Sequence, residues 1–215
     1  MIIELGKENS ILNQFLTELR DEEIQKDSMR FRKNLERIGE IFAYEISKKL
    51  SWKTIDTTTP LGIAKTSVLA EQPVVGTILR AGLPLHQGIL NYFDKAENAF
   101  IAAYRKEHTS GSFDVQLEYT GSPDLNGKTL ILCDPMLATG QSLVLTYKQL
   151  LHRGRPKHSH IVNVIASSEG VEYAKKHLPD NITFWIAAID AELTSRSYIV
   201  PGLGDAGDLA FGIKL

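Results

Sequence analysis

The chain has 215 residues, 43% of them apolar and 23% charged, a balance that fits a folded globular protein and excludes a disordered or fibrous one. A formal net charge of -2 gives no bulk attraction to nucleic acid or anionic lipid, so neither is expected as a partner. One cysteine, Cys133, excludes an intramolecular disulfide, and a chain of this length buries roughly 70% of its unfolded surface without one.

The opening MIIELGKENS lacks the basic segment and apolar run of a signal peptide. No stretch reaches the roughly 18–20 consecutive apolar residues of a membrane span. The expectation is a cytoplasmic protein folded as one domain over residues 1–215. Ser10 precedes Ile11, Leu12, Phe15, Leu16 and Leu19, which is helical spacing behind a cap. A longer helix is carried by Phe31, Leu35, Ile38, Phe42 and Ile46 and ends near Leu50. Residues 52–72, with the run Thr57, Thr58, Thr59 before Pro60, read as irregular or extended.

Strand and helix then alternate. PVVGTIL (73–79) is rich in β-branched residues and reads as a strand, residues 83–93 as a helix and AFIAAY (99–104) as a strand. Residues 105–127 are polar and rich in Gly, Ser and Asp, with a short strand over Phe113 to Tyr119, and read as a flexible arm or flap. KTLILCD (128–134) is an apolar strand, followed by helix 141–152, strand 160–167, helix 168–177 and strand 182–189. Such alternation implies a parallel sheet with helices on both faces, and ligands in such sheets bind beyond the carboxyl ends of the strands. Attention therefore falls on Arg80-Ala81-Gly82, on Asp134 to Ser142, and on the run from Tyr198.

In ILCDPMLATGQS (131–142) an apolar strand ends in a carboxylate, and a loop then leads through Thr139-Gly140 into a helix. Free amides at that helix start, the Thr139 and Ser142 hydroxyls and a glycine suit a phosphate monoester. A carboxylate some five residues earlier suits hydroxyl donors or a metal. A ligand with a diol at one end and a phosphate at the other, such as ribose 5-phosphate, matches both.

At these residues the sequence resembles the type I phosphoribosyltransferases, and within them the uracil phosphoribosyltransferases. TILRAGL (77–83), DPMLATGQS (134–142) and YIVPGLGDAGD (198–208) carry the resemblance, with Tyr104-Arg105 between the first two. It implies an α/β fold: a parallel sheet flanked by helices, a small hood formed by N- and C-terminal segments, and a protruding β-arm. It implies transfer of the phosphoribosyl group of 5-phospho-α-D-ribose 1-diphosphate to uracil, giving UMP and diphosphate, with Mg²⁺ carried by the diphosphate rather than held by protein ligands. It implies a homodimer or larger homo-oligomer.

The resemblance also carries roles onto positions. Asp134 would hold the ribose hydroxyls. The loop from Pro135, Met136 and Leu137 through Ala138, Thr139, Gly140, Gln141 and Ser142 would bind ribose 5-phosphate. Arg80 would meet the diphosphate, with Arg105 reaching in from the arm and Asp205 nearby. Ile199, Gly204, Asp205 and Ala206, within a C-terminal segment of about 190–215, would form the uracil pocket. The chain departs from the family pattern in three places. Cys133 replaces the first of two acids usual in the wider class, Gln141 stands where glycine is usual, and Leu209 stands where a basic residue often follows Asp208. Gln141 is expected to point away from the phosphate.

Other motifs carry less. GLGDAG (202–207) matches G-x-G-x-x-G, but the eight residues after it leave no room for the rest of a dinucleotide unit. Cys133 lies in an apolar strand and reads as an inert buried thiol. His158 and His160 share a strand face with no further ligands at metal spacing. Arg153, Arg155 and Lys157 read as a solvated helix end and loop.

Overall fold

The fold is described from a computed structural model. It covers residues 1–107 and 113–214, and of residues 103–107 and 113–117 it describes the backbone alone. The elements in chain order begin with β1 (Ile2–Glu4), α1 (Ile11–Arg20), α2 (Ser28–Ser47), β2 (Trp52–Thr59), β3 (Gly62–Leu69), β4 (Val74–Leu79) and α3 (Gly82–Leu90). There follow β5 (Glu97–Glu107), β6 (Phe113–Gly121), β7 (Thr129–Cys133), β8 (Met136–Leu137), α4 (Gln141–Leu150) and β9 (His158–Ser167). The chain closes with α5 (Ser168–His177), β10 (Ile182–Asp190), β11 (Glu192–Leu193), β12 (Ile199–Val200) and α6 (Ala206–Phe211).

The main sheet runs β1-β10-β9-β7-β4-β5-β6, with β8 pairing β9. Every pairing in it is parallel except β5 with β6. The central strands are buried on both faces, so their side chains divide by parity. Val75, Ile131, Cys133 and Val162 join α1, α2 and α3 in one apolar cluster. Val74, Leu130, Leu132 and Ile161 join α4 and α5 in the other. This is the helix–sheet–helix layering that a run of apolar parallel strands requires.

Ser10 caps α1, accepting from Leu12 N, and Asp27 caps α2, accepting from Met29 N and Arg30 N. Residues 52–72 resolve into the β2–β3 hairpin, which pairs only with itself among the described residues. β5 pairs with β4 only as far as Leu79 opposite Ala102, so the rest of the β5–β6 hairpin extends past the sheet. Residues 123–127 do not belong to that hairpin, because Leu125 N and Gly127 N donate to Arg153 O (2.8 Å) and Arg155 O (2.9 Å). The N- and C-terminal segments meet over one end of the sheet, where Arg32 Nη1 donates to Ala210 O (2.6 Å) and Arg20 Nη1 to Gly202 O (3.0 Å). No helix among the described residues is long and apolar enough to cross a membrane.

Candidate active site

The strand order fixes where a ligand can enter. From β4 the chain continues to β5 on one side, then returns to β7 on the other. The crevice between β4 and β7 is the topological switch point, and it opens at their carboxyl ends. Thr77 lies opposite Cys133 in the ladder, so Arg80, the residue after β4, and Asp134, the residue after β7, share one rim. A cleft of about 850 Å³ opens there, a size suited to a small-molecule ligand.

Asp134 follows five buried strand residues. Its backbone N donates to Val162 O (3.0 Å), its carbonyl accepts from Asn163 Nδ2 (2.6 Å), and its carboxylate accepts from Met136 N (3.3 Å). The loop beyond it is sewn to β9: Val164 N and Ile165 N donate to Pro135 O, and Ser167 Oγ to Ala138 O (2.5 Å). At Gly140, φ is +79°, and a Cβ would lie 2.8 Å from Gly170 O, so only glycine fits that turn. Gly140, the N-cap of α4, offers no side-chain acceptor, and Gln141 N donates to Thr139 Oγ1 only at 3.4 Å. Thr139, Gly140 and Ser142 line the cleft at this helix start, where an anion site would lie.

Arg80 lines the cleft from the end of β4. Its Nη2 donates to Asp208 Oδ1 (3.0 Å) and its Nη1 to Gly212 O (3.3 Å). Asp205 caps α6 by accepting from Asp208 N (2.9 Å), and its residue lines the cleft with Gly204, Ala206, Gly207 and Asp208. This C-terminal segment is anchored from behind. Arg20 Nη1 and Nη2 meet the two oxygens of Asp190 at 2.8 Å each, and Gly202 N donates to Asp190 Oδ2 (2.9 Å). Burial alone would raise the Asp190 carboxyl, but hydrogen bonds from Arg20 and Gly202 outweigh it and hold the group below its usual range.

A family model described as uracil phosphoribosyltransferase matches residues 7–213. The chain belongs to the uracil phosphoribosyltransferase family. A uracil phosphoribosyltransferase of Porphyromonas gingivalis is 57% identical over 214 residues, covering 100% of this chain and 99% of the relative. One of Thermococcus gammatolerans is 35% identical over 212 residues, covering 97% and 92%. A solved structure from Aquifex aeolicus aligns over 100% of both chains with a TM-score of 0.88 and 28% identity. A hypoxanthine phosphoribosyltransferase of Staphylococcus aureus shares the fold, with a TM-score of 0.50 and 13% identity over 75% and 76% of the two chains.

Most positions expected for a uracil phosphoribosyltransferase site line this one cleft: Arg80, Asp134, Met136 through Gly140, Ser142, and Gly204 through Ala206. Pro135 and Ile199 are buried and Gln141 is exposed, and none of the three is among the lining residues. The side chain of Arg105 and residues 108–112 lie outside the described residues. Glu118, Arg196 and Lys214 also line the cleft. Sequence reasoning passed over them because an isolated charge in a polar stretch has no local signature. Cys133 is fully buried and burial pushes its thiol up, so it is no nucleophile. Trp185 Nε1 donates to His160 Nδ1 (3.0 Å), and burial, then His158, pull His160 down to about 4. That ring is a neutral packing partner. Arg153 and Arg155 border a separate depression of about 650 Å³ at the loops leading into β7 and β9, at the opposite ends of those strands.

Proposed function

We propose that the cleft between β4 and β7 transfers the phosphoribosyl group of 5-phospho-α-D-ribose 1-diphosphate to uracil, giving UMP and diphosphate. The observation that carries this reading is that Asp134, the Gly140 turn and Arg80 line one cleft at the carboxyl ends of β4 and β7. Asp134 accepts the ribose hydroxyls, and its charge favours the positive ring that forms as the glycosidic C–O bond breaks. The Ala138 to Ser142 loop holds the 5′-phosphate, Gln141 by its backbone alone. Pro135, Met136 and Leu137 set the loop's path.

Arg80 and Asp205 meet the leaving diphosphate, and the resemblance assigns Arg105 the same task. Among the described residues no three His, Cys, Asp or Glu side chains converge as a metal cage. Single carboxylates on the wall, Asp134 and Asp205, fit an Mg²⁺ ion that keeps water and phosphate oxygens as its main ligands. Bound with the diphosphate, Mg²⁺ supplies neutralising charge to the leaving group. Ile199 and the Gly204 to Ala206 backbone take uracil. Amides only donate and carbonyls only accept, so such a pocket has fixed polarity. Cytosine, with donor and acceptor reversed, is rejected. The protein acts in the cytoplasm as a homodimer or larger homo-oligomer, each chain one domain, with no nucleic-acid or membrane partner.

The test is product formation with Mg²⁺, phosphoribosyl diphosphate and each base under identical conditions. UMP from uracil, with at least about 10⁴-fold less product from cytosine, is expected. Comparable rates with cytosine or hypoxanthine would overturn the base assignment.

A further inference from the structure

The proposed leaving group brings several negative charges to the Arg80 end of the cleft. Arg80 is already engaged there: Nη2 pairs with Asp208 Oδ1 at 3.0 Å and Nη1 donates to Gly212 O at 3.3 Å. Part of its charge is matched before any ligand arrives. The Gly212 contact does a second thing. It ties the C-terminal tail to Arg80, and Lys214 follows two residues later. Lys214 lines the same cleft, and among the described residues its ammonium has no hydrogen-bond or ion-pair partner. Leu209 on α6 cannot serve instead, since it packs against the apolar cluster beneath. Arg196 lies in the β11–β12 connection, next to Tyr198 and the segment proposed for the base.

Resting on the proposed reading of the cleft, we infer that Lys214 is a further substrate-binding residue, whose ammonium meets the diphosphate beside Arg80. A lysine suits this task. It is a compact charge on a flexible stem, and it can follow the diphosphate as that group passes from ester to free ion. The tail holds Arg80 through Gly212 and delivers a second cation two residues on, so one short segment sets both positive charges. Arg80→Ala would remove a charge and also release the tail. Lys214→Ala removes a charge alone.

The experiment measures binding of magnesium diphosphate by calorimetry, with steady-state kinetics alongside, for wild type, Lys214→Ala and Lys214→Arg. Lys214→Ala is expected to weaken diphosphate about tenfold at low salt. KM for phosphoribosyl diphosphate rises in step, and KM for uracil stays within about twofold. Lys214→Arg recovers most of the loss. The gap between wild type and Lys214→Ala narrows as salt rises from about 0.05 to 0.5 M. Diphosphate affinity within about twofold of wild type in Lys214→Ala, or a loss as large in Lys214→Arg, overturns the role of Lys214. Failure of the wild-type protein to make UMP overturns the reading of the cleft instead.

Discussion

Asp134 and Lys214 line one cleft and differ in how far the sequence announces them. Asp134 ends a strand whose five residues are all buried. An apolar run closed by an acid, then a Thr-Gly turn into a helix, is legible because each part has a local cause. Its carboxylate accepts from Met136 N, which sets its direction. Asp134→Asn keeps the shape and removes the charge. We expect kcat to fall about tenfold or more with KM changed less than about threefold, because the charge acts mainly as the ribose ring becomes positive. Turnover within about twofold of wild type would remove Asp134 from this role. Lys214, Arg196 and Glu118 are illegible because nothing nearby distinguishes them from solvated surface charges; the C-terminal segment brings Arg196 and Lys214 to the cleft, and β6 brings Glu118.

At the scale of elements, periodicity locates α1 to α5 and the core strands to within a few residues, but not α6. Strands expected at 73–79, 128–134, 160–167 and 182–189 are Val74–Leu79, Thr129–Cys133, His158–Ser167 and Ile182–Asp190. β1 is not legible, since three residues show no alternation. Nor is what joins the elements. Arg20 and Asp190 lie 170 positions apart, yet their paired contacts at 2.8 Å, with Gly202 held by both, fix the entry to the segment proposed for uracil. Arg20 is 23% and Asp190 8% exposed, so breaking the pair costs less than the ~3–5 kcal/mol of a fully buried one. Arg20→Ala should therefore lower the melting temperature and raise KM for uracil about fivefold or more, with KM for phosphoribosyl diphosphate within about twofold. Equal rises in both would mean that the pair supports the fold without positioning the base segment.

A second buried carboxylate links α1 to α2. Glu18 accepts from Arg30 Nε and Nη2 at 2.9 Å each and from Asn34 Nδ2 at 2.7 Å. The Arg30 guanidinium, then the Asn34 amide, lower its carboxyl from 4.5 to about 2. A depressed folded-state value means stability that is complete above pH 4.5 and is lost as pH falls toward 2. Glu18→Gln should thus be less stable than wild type at neutral pH, with the difference closing across that acid window. Denaturant unfolding at stepped pH reads it directly. A difference that stays constant down to pH 2 would show that the charge contributes nothing.

For the whole molecule, strand–helix alternation was enough to specify a mostly parallel sheet with covered faces. It was not enough to specify the β2–β3 hairpin. Its Thr-rich strand β2 is exposed along nearly all its length and β3 is at most half-buried, so no face is apolar enough to give a period-2 signal. That hairpin is the strongest structural support for the proposed homo-oligomer. A two-stranded ribbon is marginally stable alone, and this one pairs with no other strand among the described residues. Yet it carries Leu61 at 100% and Ile63 at 73% exposure near its turn, with Trp52 at 51% at its base. A chain gains nothing by holding large apolar side chains in water on a projecting ribbon unless something covers them. A second copy is always present at the concentration of the chain itself, and a twofold arrangement would let each hairpin lie on the other subunit. The double variant Leu61→Asp, Ile63→Asp changes only exposed positions and should leave the unfolding midpoint of the single chain nearly unchanged. Light scattering should show wild type at twice the mass of one chain or more, and the double variant shifted toward one. Wild type running as a single chain, or a double variant that keeps the wild-type mass, would refute assembly through this ribbon.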